Sequence, residues 1–111
     1  MQLETKKYLT DIVLSIHHIQ LFLVDTPHFL AYQADLKTKR AVERELAIIG
    51  EAMTKIIKIE TITIQNDKQI IALRNRLVHA YDSINDEMIW GIIQRHLPLL
   101  KQEVEELLKT L

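Results

Sequence analysis

The chain contains no cysteine among its 111 residues. That excludes a disulfide frame, thiol catalysis and thiolate-ligated zinc, and it fits a reducing compartment such as the cytoplasm. Glycine and proline are nearly as scarce, with Gly50, Gly91, Pro27 and Pro98 the full set. So few glycines leave no loop that could cradle a phosphate, and the chain has no low-complexity segment or internal repeat. No apolar run approaches the ~20 residues needed to span a bilayer. Residues 1 to 30 also lack the uninterrupted apolar core and small-residue cleavage site of a secretory signal, so a cytoplasmic protein with no membrane partner is expected. A net charge of −1 lacks the basic excess of a protein that coats nucleic acid by bulk electrostatics, and no DNA partner is expected.

The residues that are present form a helical pattern. Apolar residues make up 48% and charged residues 26%, the balance of a compact fold rather than a disordered segment. The length suits one domain, residues 1–111, with a real core but small enough that oligomerisation would help it; a homodimer is the natural expectation. The near-neutral charge hides an asymmetry. Lys68, Arg74 and Arg76 cluster in one stretch, while Glu103, Glu105 and Glu106 place acid near the C-terminus.

From about residue 3 to 23, Leu9, Ile12, Val13, Ile16 and Ile19 return every three or four residues, which predicts a helix with one apolar stripe. Thr26-Pro27 reads as a cap followed by proline at the first helical position of a short helix through Tyr32, and Asp35 as the cap of the next. Between about residues 36 and 59, Val42, Leu46, Ile49, Met53 and Ile56 share a narrow arc, with Gly50 beside it, Glu45 inside it and Glu51 pointing away. A mid-helix glycine costs about 1 kcal/mol relative to alanine, so close approach of a neighbouring helix is its expected benefit.

Residues 60 to 66 alternate polar and β-branched side chains but have no strand to pair with, so they read as an extended connection. Asn66 or Asp67 caps a fourth helix whose core residues are Ile70, Ile71, Leu73, Leu77 and Val78. Ser83 or Asn85 caps a final helix, with Ile89, Trp90, Ile93, Leu97, Leu100, Val104 and Leu107 inward and a kink or restart at Pro98. Together these predict an all-α, up-and-down helical bundle of four main helices plus a short one.

Chemically able side chains concentrate in Arg74-Asn75-Arg76-Leu77-Val78-His79-Ala80-Tyr81. On a straight helix Asn75 and His79 share a face, whereas Arg74 and His79 diverge by roughly 140°. One copy converges poorly, but two copies across a two-fold axis would surround a shared groove with arginines and histidines. Such a groove suits metal-independent RNA cleavage. An imidazole, titrating near neutral pH, takes the proton from a ribose 2′-hydroxyl, and a guanidinium holds two phosphate oxygens as charge develops on them. Arg76 and Lys68 are candidate RNA contacts. The same residues also fit a structural role, with His79 on helix-end carbonyls, the arginines solvated and Tyr81 covering the core.

Little else competes. His17, His18, His28 and His96 are scattered without metal-ligand spacing, and neither Ser15 nor Ser83 has a nucleophile's context; no metal or cofactor is expected. Glu45 reads either as a partner of Arg74 across the bundle or as a partly buried acid with a structural partner.

The run from Arg74 to Tyr81 resembles the arginine, four residues, histidine, one residue, tyrosine motif of the HepT-like ribonuclease toxins of the HEPN superfamily. The run Ala41-Val42-Glu43-Arg44-Glu45-Leu46-Ala47-Ile48-Ile49-Gly50-Glu51-Ala52 is similar to that family's second landmark, and Trp90 and Leu97-Pro98 match the last helix. The resemblance spans nearly the whole chain. It implies an all-α HEPN domain that dimerises through its motif helices and cuts RNA without metal, with Arg74 and His79 as the catalytic pair and Asn75 in support. It further implies a type VII-like toxin–antitoxin system, in which an MNT-type nucleotidyltransferase antitoxin transfers AMP from ATP to Tyr81. Two departures stand out: Ala80 where the family often has glycine, and Ile62-Thr63-Ile64-Gln65 where a proline-tryptophan pair often precedes the motif helix. Both bear on loop shape and RNA preference. A different class of function is a non-catalytic HEPN module that binds a nucleotide or docks a nucleotidyltransferase as an adaptor; a third is a purely structural interaction protein.

Overall fold

A computed structural model describes residues 1–110 as an all-α bundle. The helices are α1 (Leu3–Phe22), α2 (Phe29–Ala34), α3 (Leu36–Ile59), α4 (Asp67–His79), α5 (Asp86–Gly91) and α6 (Leu97–Lys109). Helix α3 is the spine, with α1 on one flank and α4 on the other, while α6 lies along α1. Contacts at both ends of the α1–α3 pair set it antiparallel: Glu60 accepts from the Gln2 backbone N–H at 2.7 Å and from the Thr5 hydroxyl at 2.9 Å, and His18 meets Glu45 at 2.6 Å. Among the described residues no helix is long and apolar enough to cross a membrane.

The core follows the apolar stripes. Leu9, Ile12, Ile16 and Ile19 of α1 interlock with Val42, Leu46, Ile49, Met53 and Ile56 of α3, and Ile89, Ile93, Leu97, Leu100 and Val104 close the bundle. The connection over residues 60–64 has no helix or strand, in keeping with its pattern, and sends Ile64 into the core, but it ends in a turn at residues 65–66 rather than staying extended. Trp90 is only half-buried; its ring lies 5.3 Å from that of Tyr32 and 6.3 Å from that of Phe29.

Several local expectations change. Thr26 does not cap α2, because residues 23–26 form the turn that closes α1, with the Thr26 N–H on the Leu23 carbonyl, and the helix starts only at Phe29. The chain therefore enters α2 later, and the His28 imidazole accepts from the Ala31 N–H as its cap. Asp35 caps α3 through Thr38, and Asn85, not Ser83, caps α5 through the Met88 N–H at 2.7 Å. Asn66 enters α4 by a left-handed turn at φ 63° without a side-chain cap, a conformation asparagine tolerates well. Pro98 restarts the last helix. It has no N–H for the carbonyl four residues back, and the ladder widens into a π-helical stretch over Ile92–His96 before α6 resumes.

The largest departure is in α4. None of its residues is fully buried: Ile70, Ile71, Leu73 and Leu77 pack partly against the core, and Val78 is 48% exposed, contrary to its expected core role. A helix flanking α3 at the edge of one chain has only one side to bury.

Among the described residues two buried side-chain atoms lack a hydrogen-bond partner, the Arg74 Nε and the Tyr32 hydroxyl. The Tyr32 side chain is fully buried and its hydroxyl makes no hydrogen bond; burial, with Glu43 nearby, pushes its ionisation far above the ordinary phenol range. Removing that hydroxyl relieves a desolvation cost of about 1 kcal/mol. Tyr32→Phe is accordingly expected to raise stability in urea unfolding, whereas a clear loss would mean the hydroxyl has a partner in solution.

Candidate active site along helices α3 and α4

Helices α3 and α4 run antiparallel, with Glu43 facing Tyr81, Gly50 facing Arg74 and Lys39 bonded to Asp86 at 3.1 Å. Gly50 sets the distance between them. A Cβ at that position would stand 2.2 Å from the Arg74 Cβ and 3.2 Å from the Ile70 carbonyl oxygen, so only glycine lets α4 lie this close. Here is the close approach that a mid-helix glycine implied.

The contact seats Arg74 in the seam. Its Nη2 donates to Glu51 Oε1 at 3.1 Å, its Nη1 donates to Asn75 Oδ1 at 3.2 Å, and its Nε is buried without an acceptor. Each Nη keeps a second hydrogen, so the fork retains donors for an anion. The arginine's acid is Glu51, not Glu45. Glu45 is taken by His18 on the opposite flank, which settles its role as a buried acid with a structural partner.

His79 is the last residue of α4 and is exposed. No hydrogen bond joins it to Arg74, and on the helix the two directions differ by about 140°. Lys68, Asn75 and His79, all exposed, fall within about 40° of one another on the outer side of α4. One chain therefore presents Arg74 at the seam and His79 on the outer face, without bringing them together.

Arg76 is engaged within the chain. Its Nη2 donates to the Ser83 carbonyl at 2.6 Å, its Nε to the Ser83 hydroxyl at 3.2 Å, and its Nη1 approaches the Met88 sulfur at 3.3 Å. It clamps the 3-10 turn Tyr81–Ser83 that follows the motif helix.

Tyr81 is also held. Its phenol donates to Glu43 Oε1 at 2.6 Å, and the Arg40 guanidinium lies 4.8 Å from its ring centre while donating to the same carboxylate oxygen at 3.2 Å. Burial pushes the Glu43 carboxyl above the ordinary carboxylate range, with Arg40 opposing the shift. Sequence reasoning singled out none of Glu43, Glu51 and Arg40 as site residues. The available signals were the adjacency of Glu51 to Gly50 and the one-turn spacing of Arg40 and Glu43.

Arg74 and His79 thus stand on one edge helix, the guanidinium braced at the seam and the imidazole exposed on another face, and comparison with known proteins gives the class of protein. The profile of the family described as Ribonuclease HepT-like matches residues 12–107. The chain is 33% identical to "Putative RNase MJ0127" of Methanocaldococcus jannaschii, covering 97% of this chain and 90% of the relative. It is 32% identical to "Probable ribonuclease HepT" of Thermococcus cleftensis, covering 98% and 100%, and 31% identical to "Putative RNase TTE0752" of Caldanaerobacter subterraneus, covering 79% and 83%. No solved structure matches. The chain belongs to the HepT-like ribonuclease family.

Gly50→Ala tests the seam. The added methyl cannot be absorbed by a flexible side-chain end, because it meets the Arg74 Cβ. Overpacking of this kind costs about 1–3 kcal/mol. The expected result is a lower thermal midpoint with helix content kept and RNA cleavage reduced, and wild-type values for both would show that α4 does not depend on this contact.

Proposed function

We propose that this protein is the toxin of a toxin–antitoxin pair, a metal-independent endoribonuclease whose site forms at a homodimer interface built on the outer faces of two α4 helices. The observation that carries the reading is the pre-set Arg74 guanidinium, seated by Gly50, braced by Glu51 and Asn75, on the same helix as the exposed His79. The unpacked side of α4, with Val78 48% exposed, supplies a face for a second copy.

In such a groove one His79 takes the proton of a ribose 2′-hydroxyl, and the freed oxygen attacks the adjacent phosphorus. Arg74 holds the non-bridging oxygens as charge gathers on them. The second His79 gives a proton to the departing 5′-oxygen, leaving a 2′,3′-cyclic phosphate. Lys68, on the same face as His79, would meet the RNA backbone further along.

Silencing is assigned to Tyr81. A nucleotidyltransferase antitoxin would transfer AMP from ATP to its phenol oxygen, with pyrophosphate leaving. The added phosphate charge and adenosine bulk would repel and obstruct RNA. The separation of Arg74 from His79 in one chain supports a second reading should the protein prove monomeric: a non-catalytic adaptor that docks a nucleotidyltransferase.

The test is incubation of wild-type and His79→Ala protein with total cellular RNA in excess chelator, after mass spectrometry has confirmed an unmodified Tyr81. Discrete fragments with cyclic-phosphate ends from wild type alone are expected. Intact RNA from both would shift the reading to the adaptor, and equal cleavage by both would remove His79 from the chemistry.

A further inference from the structure

The chain leaves α4 at Ala80, whose backbone at φ −137° and ψ 50° is no longer helical, one residue after His79. What holds the chain beyond that point therefore sets the end of the motif helix. Two ties do so from opposite sides. From α4, Arg76 reaches forward to the Ser83 carbonyl at 2.6 Å, while the Ser83 hydroxyl closes back on the Ala80 carbonyl at 2.6 Å. From α3, the buried Glu43 carboxylate accepts the Tyr81 phenol at 2.6 Å, with Arg40 completing the cluster and the Lys39–Asp86 pair and the Tyr32 hydroxyl around it.

The second tie is the informative one. Glu43 is 6% exposed, and an acid so placed is costly to hold without partners. Its partners are Arg40, which is largely solvent-facing, and a tyrosine whose remaining surface is open. A phenol that only covered the core would present its ring inward and its oxygen to water. Here the oxygen points in.

We propose that Glu43 is a positioning residue that acts through the Tyr81 hydroxyl to fix His79 relative to Arg74. The geometry makes α3 the ruler for both. Glu51 holds Arg74 and Glu43 holds the turn after His79, two anchors about 12 Å apart along one helix. In this role the phenol is a hydrogen-bond donor, so any group attached to its oxygen breaks the tie and frees the His79 end of α4. Modification would then disorganise the site as well as obstruct it. The inference rests on the reading of His79 as catalytic, but the tie itself can be tested without it.

The experiment measures single-turnover RNA cleavage and binding by wild type, Tyr81→Phe, Glu43→Gln, Glu43→Leu and the Tyr81→Phe/Glu43→Leu double variant. Tyr81→Phe is expected to lower the cleavage rate about tenfold to a hundredfold with RNA affinity within about twofold, as befits a lost hydrogen bond to a charged group. Glu43→Gln should keep most of the rate, because its amide oxygen still accepts from the phenol. Glu43→Leu should fall to the Tyr81→Phe level and the double variant no further. Wild-type cleavage by Tyr81→Phe, or additive losses in the double variant, would overturn the proposal. NMR of the imidazoles provides the readout that needs no activity. In Tyr81→Phe the His79 signals should shift or broaden while those of His17 and His96 stay put, and unchanged His79 signals would overturn the positioning role. A wild-type protein that fails to cleave, or a His79→Ala protein as active as wild type, refutes the catalytic reading instead and leaves the NMR result to decide the tie.

Discussion

The site depends on the absence of one methyl group. At Gly50 the backbone of α3 comes so near the base of the Arg74 side chain that any Cβ would collide with it. The cost of glycine inside a helix, about 1 kcal/mol, is offset by what the approach allows. Arg74 leaves α4 already pressed against α3, where Glu51 on the next position catches its guanidinium. A long, entropy-rich side chain is thereby held near one geometry before any ligand arrives, which is the condition under which a cation acts most strongly on a developing charge.

Helix α3 organises the rest from its two flanks. Toward α1 it spends Glu45 on His18, and toward α4 it spends Glu51 on Arg74 and Glu43 on Tyr81. The three acids differ in role because they differ in direction around one helix axis. The π-helical stretch before Pro98 joins α5 and α6 into one continuous element, keeping Ile89 and Ile93 in the same core as Leu97 and Leu100.

Much of the fold was legible because α1 and α3 bury one stripe each. Leu9, Ile12, Ile16 and Ile19 repeat at helical spacing, and all four are fully buried. Val78 shows where the same reasoning stops, since periodicity marks an apolar face but not whether the chain itself covers it. Thr26 and His28 show a second limit. Proline at residue 27 favours a helix start, but the turn closing α1 uses the Thr26 backbone first. At the site, the motif pointed to Arg74, Asn75, His79 and Tyr81 as candidates. It did not reveal Glu51 or Glu43. A helical wheel correctly turns Glu51 away from the core, yet it carries no information about the helix packed on that flank. The tie from Tyr81 to Glu43 crosses 38 residues of sequence and depends on the α3–α4 register.

The central claim of the account is that one chain holds only part of the cleavage site, with two His79 imidazoles serving a shared groove. Random mixing of wild-type and His79→Ala chains, followed by RNA cleavage at a fixed total concentration, addresses it directly. A shared groove requires both partners to be wild type, so an equal mixture should retain about one quarter of the activity, and the activity retained should follow the square of the wild-type fraction. A linear decline, with about one half retained in the equal mixture, would mean that each chain cuts with its own histidine and would contradict the account.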